Sequence, residues 1–71
     1  MTESYLSLNS MENILREAGA QRVSREAKEE LRTYLQDHAV SIGKVALTYT
    51  EHAGRKTVKA EDIESSINVD E

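Results

Sequence analysis

One stretch, Ser24 to Ala53, constrains most strongly what this chain can fold into. It reads SREAKEELRTYLQDHAVSIGKVALTYTEHA, holds no proline, and is followed at once by Gly54. Apolar or aromatic side chains return at Ala27, Leu31, Tyr34, Leu35, Ile42, Val45, Ala46, Tyr49 and Ala53. Steps of mostly three and four are the mark of one buried helical stripe, not of a strand. Ser24 suits an N-cap, Glu26 in the first turn complements the helix dipole, and Gly54 stands where a left-handed C-terminal cap is wanted. A helix from Arg25 to His52 would run about 42 Å. A globule made from 71 residues has a diameter of only ~30 Å. The helix therefore outruns the ball its own chain could wrap around it, and the nearest cover for the overhanging stripe is a second copy. Gly43 fits that expectation, since a missing Cβ permits close approach of another backbone. A tolerated surface glycine, at up to ~1 kcal/mol against alanine, is the plainer alternative.

Composition sharpens the need for a partner. A chain of 71 residues holds one domain with a thin core, and without cysteine it has neither a disulfide framework nor a thiolate metal site to compensate. There is no apolar run of membrane-spanning length, and the opening MTESYLSLNS lacks the basic start and apolar core of a secretory signal. A soluble, cytoplasmic protein is expected. The net charge of −4 argues against nucleic acid, but its distribution argues for it. All nine Lys and Arg residues lie between Arg16 and Lys59 among six acids, a local balance of +3, while the flanks hold the other seven acids and no base.

Taken in order, residues 1–6 are polar and expected to fray. Residues 7–67 form the domain. Ser7 can cap a short helix whose Leu8, Met11, Ile14, Leu15 and Ala18 share one face, ended by Gly19. About three turns are not stable alone, so this helix must dock on the long one. A third helix begins near Lys59, with Glu61 and Asp62 in its first turn and Ile63 and Ile67 on its inner face. Residues 68–71 are expected to fray.

The connections GAQRV and GRKTV are both basic and both run from a glycine to a valine. In an antiparallel, intertwined dimer crossing near His38 and Ala39, the first loop of one chain lies beside the second loop of its partner. Arg22 then joins Arg55, Lys56 and Lys59 of the other protomer in two clusters related by a twofold axis. The dimer core on this reading comprises Leu31, Tyr34, Leu35, Ala39, Ile42, Val45, Ala46 and Ile63.

The stretches AGAQRVSREAKEEL and HAGRKTVKAEDIE, at their spacing, resemble an archaeal histone across roughly residues 7–67. The resemblance implies an all-α histone fold of short, long and short helices, forming a homodimer that binds double-stranded DNA without sequence preference. It implies an arginine entering the minor groove at Arg22, backbone contacts from Lys56, Thr57 and Lys59, and DNA-contacting roles for Arg55 and for Arg16 in the first helix. It also implies an Arg55–Asp62 pair within one protomer, and a dimer–dimer contact through Tyr49, His52, Asp62 and Ser65. Asn13 stands where the family usually carries a base, and Ser65 where it usually carries leucine. The chemistry is compatible: a guanidinium enters a narrow, negative groove without reading bases, and N–H groups at the start of a helix donate to phosphate. Neutralising ~8 phosphates per dimer would give a log K against log salt slope of about −7.

Other function classes find little support. Glu29–Glu30 and Glu61–Asp62 are adjacent, not facing, and neither a phosphate-binding glycine loop nor a nucleophile with its base is present. His38 and His52, on one helix and without cysteine, do not make a zinc site. No enzyme activity, cofactor or metal is expected, and chromosome association in the nucleoid is. The alternative is a histone-fold protein–protein module, transcription-factor-like, pairing with a paralogue and binding DNA weakly or never; the acidic balance and Asn13 favour it. How dimers assemble on DNA, by wrapping or bridging, is left open by the sequence.

Overall fold

The computed structural model describes residues 4–69. Among them are three helices and no strand: α1 Leu8–Glu17, α2 Arg25–His52 and α3 Ala60–Val69. The architecture is all-α in the short, long, short order of a histone fold, and α2 covers the 28 residues that the apolar stripe marked out. Of the two ends expected to fray, residues 1–3 and 70–71 lie outside the described residues. Within the first, the N–H groups of Tyr5 and Leu6 both donate to Gln36 Oε1, at 2.6 and 2.8 Å. Within the second, α3 continues through Asn68 and Val69.

The starts of all three helices and the ends of α1 and α2 are set by local chemistry. Ser7 Oγ accepts from the Ser10 N–H at 3.0 Å, and Ser24 Oγ accepts from the Ala27 N–H at 3.0 Å, so both α1 and α2 begin on a serine that satisfies an orphan N3 donor. Leu6 and Met11 occupy the N′ and N4 positions of a hydrophobic staple around the Ser7 cap. α3 uses the other half of a capping box: Asp62, at N3, reaches back to accept from the Lys59 N–H at 2.9 Å.

Two helices stop in the same way. Gly19 has φ +112° and Gly54 φ +72°, a region that costs a side chain energy and glycine little. Each glycine donates to a carbonyl of the preceding turn, Arg16 and Glu51 respectively, both at 3.0 Å. The residue after each donates five positions back, Ala20 to Leu15 at 3.0 Å and Arg55 to Thr50 at 3.1 Å. This paired pattern is a Schellman closure, and it sets where both loops begin.

The chain divides into two compact units between Asp37 and His38, inside α2. In the first, α1 meets the early turns of α2: Met11 is buried, Leu15, Leu31 and Leu35 are half-buried, and Lys28 Nζ donates to Glu12 Oε1 at 3.1 Å. In the second, the later turns of α2 meet α3 through small and polar side chains. Ala46, Thr50, Asp62 and Ser66 are all buried, and Thr50 and Ser66 also reach back to carbonyls of their own helices. No buried side-chain nitrogen or oxygen among the described residues lacks a partner. An interior of this kind is well satisfied but buries little apolar area, which is the chief favourable term in folding.

The large apolar side chains are correspondingly outside. Tyr34 is 63% exposed, Val40 51% and Leu47 45%, and Val45, Tyr49, Val58 and Ile67 are exposed as well. Of the expected dimer core, Leu31, Leu35, Ile42 and Ile63 are half-buried, Tyr34, Ala39 and Val45 are exposed, and Ala46 is already wholly covered within its own chain. Among the described residues, and apart from the backbone of its own helix, nothing lies within 4 Å of where a Cβ on Gly43 would sit, so no contact there calls for glycine.

Candidate nucleic-acid interface

The second loop, residues 53–59, is organised by one carboxylate. Asp62 Oδ2 accepts from Thr50 Oγ1 at 2.7 Å, from Arg55 Nη1 at 3.0 Å and from the Lys59 N–H at 2.9 Å, while Oδ1 accepts from Arg55 Nη2 at 3.1 Å. The fork-to-fork pairing of guanidinium and carboxylate adds geometric definition to charge. Hydrogen bonds from Arg55, then from the Lys59 N–H and Thr50, hold the Asp62 carboxyl well below the usual carboxylate range against the opposing effect of burial. Arg55 Nη1 also donates to the Thr57 carbonyl at 2.9 Å. One arginine thereby ties the middle of the loop to the first turn of α3.

The Arg55–Asp62 pair implied by the sequence resemblance is present, though not as an exposed pair. The Asp62 side chain is 4% exposed and that of Arg55 26%. With Arg55 turned inward, the outward-facing polar side chains of this loop are Lys56, Thr57 and Lys59, all exposed. Glu61 stands at the edge, 4.0 Å from Arg55 Nη2.

The first loop, residues 18–24, carries Arg22 exposed beside half-buried Val23. An open hollow lies at its base, lined by Leu15, Ala20, Arg22, Val23, Ser24 and Ala27. Arg16, in the last turn of α1, does not stand free. Its Nε and Nη2 both meet Glu12 Oε2, at 3.0 and 2.9 Å, and its Nη1 donates to the Gln21 carbonyl at 3.1 Å. Arg16 thus fastens the loop one residue before Arg22.

Sorting the nine basic residues by partner locates the uncompensated charge. Arg16 and Lys28 share Glu12, Arg25 pairs with Glu29, and Arg55 pairs with Asp62. Among the described residues the side chains of Arg22, Lys56 and Lys59 in the loops, and of Arg32 and Lys44 on α2, enter no ion pair. Of the residues expected at a dimer–dimer contact, Tyr49, His52 and Ser65 are exposed and Asp62 is buried with its carboxylate engaged as described. No group of three or more His, Cys, Asp or Glu among the described residues could hold a metal ion, and no helix there is long and apolar enough to cross a membrane.

Sequence reasoning missed Thr50, Glu12, Lys28 and Gln36. Glu12 and Arg16 stand four apart on α1, a spacing that invites a pair. Thr50 falls four after Ala46, at helical spacing with the buried stripe, but a hydroxyl does not register in an apolar count.

Comparison with known proteins agrees with this architecture. Residues 5–67 match the family described as histone-like transcription factor (CBF/NF-Y) and archaeal histone. The chain is 44% identical over 62 residues to one of the subunits of archaeal histone HAN1 from Thermococcus zilligii, covering 87% of this chain and 92% of that protein. It is 41% identical over 54 residues to probable archaeal histone 3 of Methanocaldococcus jannaschii, covering 76% of this chain and 81% of the relative. Histone H4 of Euplotes crassus is 39% identical over 54 residues, 76% of this chain and 50% of its own length. A chain matched over this span, with a serine-capped long helix between two glycine-closed turns, belongs to the family of histone-like transcription factors and archaeal histones.

Proposed function

We propose that the protein is a structural component of the nucleoid, a homodimer that binds double-stranded DNA without sequence preference through its two loops. The observation that carries this reading is the distribution of partnered and unpartnered cations. Among the described residues, carboxylates neutralise Arg16, Arg25, Lys28 and Arg55, whereas Arg22, Lys56 and Lys59 stand exposed on the two loops without one. Uncompensated charge on short, well-braced loops is what a phosphate track recognises.

In the proposed dimer, α2 crosses its counterpart antiparallel near His38 and Ala39. The exposed and half-buried residues Leu31, Tyr34, Leu35, Ile42, Val45 and Ile63 then find cover. The same crossing sets Arg22 of one protomer beside Lys56, Thr57 and Lys59 of its partner at each end. Arg22 enters the minor groove, Lys56 and Lys59 neutralise phosphates, and Arg55 acts by holding the Thr57 carbonyl so that the loop keeps its shape. Tyr49, His52 and Ser65 form the surface through which dimers meet on DNA, with Asp62 Oδ1 keeping a lone pair for His52.

A titration of ~60 bp duplex at about 50 and 200 mM salt tests the reading. Binding at the lower salt, lost steeply at the higher, is expected, with Arg22→Ala plus Lys56→Ala weakening all duplexes alike. Unchanged affinity in that double variant would refute the proposed surface. The net charge of −4 favours a second reading, a histone-fold module that pairs with another protein. Absence of binding by the parent chain at low salt would decide for it.

A further inference from the structure

Among the described residues of the first unit, Glu12 is the carboxylate that holds two cations at once. Its Oε1 accepts from Lys28 Nζ at 3.1 Å and its Oε2 meets Arg16 Nε and Nη2 at 3.0 and 2.9 Å. Each oxygen is occupied by a different base, one from the same helix and one from the first turn of α2. The side chains are 28% exposed for Glu12, 20% for Lys28 and 51% for Arg16, so the cluster lies at the surface but not fully in water. Hydrogen bonds from Lys28, then Arg16, with their charges behind them, hold the Glu12 carboxyl below its ordinary range. It is therefore ionised at neutral pH.

The position of the cluster gives it a consequence. Arg16 Nη1 is bonded to the Gln21 carbonyl, so the guanidinium sits against the loop that presents Arg22. Two bases next to that loop would add two charges to the phosphate track if they were unpaired. With Glu12 between them the three groups together contribute a single positive charge. A carboxylate that bonds a guanidinium through two N–H groups and an ammonium through a third reproduces what a DNA phosphate would offer the same donors.

We infer that Glu12 is an internal competitor of the DNA backbone: it occupies Arg16 and Lys28 in the free protein and so lowers both the affinity and the salt sensitivity of DNA binding. The inference rests on the DNA-binding reading above. It adds to it a residue that restrains binding, placed on the first helix where no contact to DNA is required of it.

The test compares Glu12→Gln with Glu17→Gln, which removes the same charge from the same helix at an exposed position that makes no side-chain hydrogen bond or ion pair among the described residues. Both are titrated with ~60 bp duplex across about 50 to 200 mM salt beside the parent chain. Glu12→Gln should bind more tightly at low salt and steepen the slope by about 0.9 per protomer, about 1.8 for the two protomers of a dimer. Its advantage over the parent should then shrink about 12-fold between those salt concentrations. Glu17→Gln should leave the slope at the parental value. An unchanged slope in Glu12→Gln, or equal steepening in both variants, overturns the inference while leaving the DNA-binding reading intact. Failure of the parent to bind at low salt refutes both. Should Glu12→Gln fold poorly, the Glu12 carboxyl ¹³C resonance in the parent supplies an independent measurement. It should move as DNA saturates the protein and Arg16 turns to phosphate, and a resonance that stays in place overturns the proposal.

Discussion

Replacing Thr50 by valine tests how the second unit is held together. The hydroxyl is wholly buried, 2.7 Å from Asp62 Oδ2 and 3.0 Å from the Ala46 carbonyl, and its single proton serves the carboxylate as the nearer and charged acceptor. Valine has nearly the same shape and the same β-branching, so the backbone and the packing need not change. A hydrogen bond to a charged group contributes about 1.5–3 kcal/mol. A methyl group buried in place of the hydroxyl returns ~0.8 kcal/mol. The net loss is therefore about 1–2 kcal/mol. For a domain of this size each kcal/mol moves the midpoint by about 4–8 °C, so Thr50→Val should melt roughly 4–16 °C lower. The assay is thermal unfolding by circular dichroism at one fixed protomer concentration, since association makes the midpoint depend on concentration. The reasoning also demands that the Asp62 carboxyl, with one donor fewer, titrate higher. A valine variant as stable as the parent, with an unmoved Asp62 titration, would show that the hydroxyl does not hold the carboxylate.

Acid should weaken the fold through the same group. The folded-state pKa of Asp62 is lowered, so its stabilisation is complete above the unfolded value of about 3.9 and is lost as pH falls below it toward the folded value. Melting temperature should drop on that acid limb, and Asp62→Asn should lower stability at neutral pH while flattening the limb; a parental limb in Asp62→Asn contradicts the assignment. Gly54→Ala places a side chain at φ +72° and should destabilise by roughly 1 kcal/mol, with Gly54→Asn milder, as read from the thermal midpoint. Ile42→Asp sets a charge in the proposed dimer core and should shift the chain toward monomer or unfolded protein in sedimentation velocity; a folded dimer at micromolar concentration would remove Ile42 from the interface.

Ser7, Ser24, Gly19 and Gly54 punctuate the chain by local chemistry alone, and α1 and α2 fall where those four residues place them. A capping hydroxyl needs only the N–H three residues on, and a left-handed glycine only the carbonyls of the turn behind it. Such interactions depend on neighbours in sequence and can be read there. The stripe on α2 is legible for the same reason, because helical periodicity maps spacing directly onto a face.

The identity of the partner for each polar group was a tertiary matter. Asp62 reads as a first-turn acid that the family resemblance pairs with Arg55, yet it is also buried and gathers Thr50 and the Lys59 N–H around it. Arg16 reads as a DNA-contacting base, yet it and Lys28 are both bound to Glu12. Ala46 counts as part of a face for a second chain, yet its own chain leaves it no accessible surface. The sequence alone determined where the helices start and stop and which faces are apolar, because both follow from contacts within a turn or two. Only the folded chain decided which cations are neutralised and which loops keep their charge, because that requires groups separated by 7, 12 or 16 residues to meet in space.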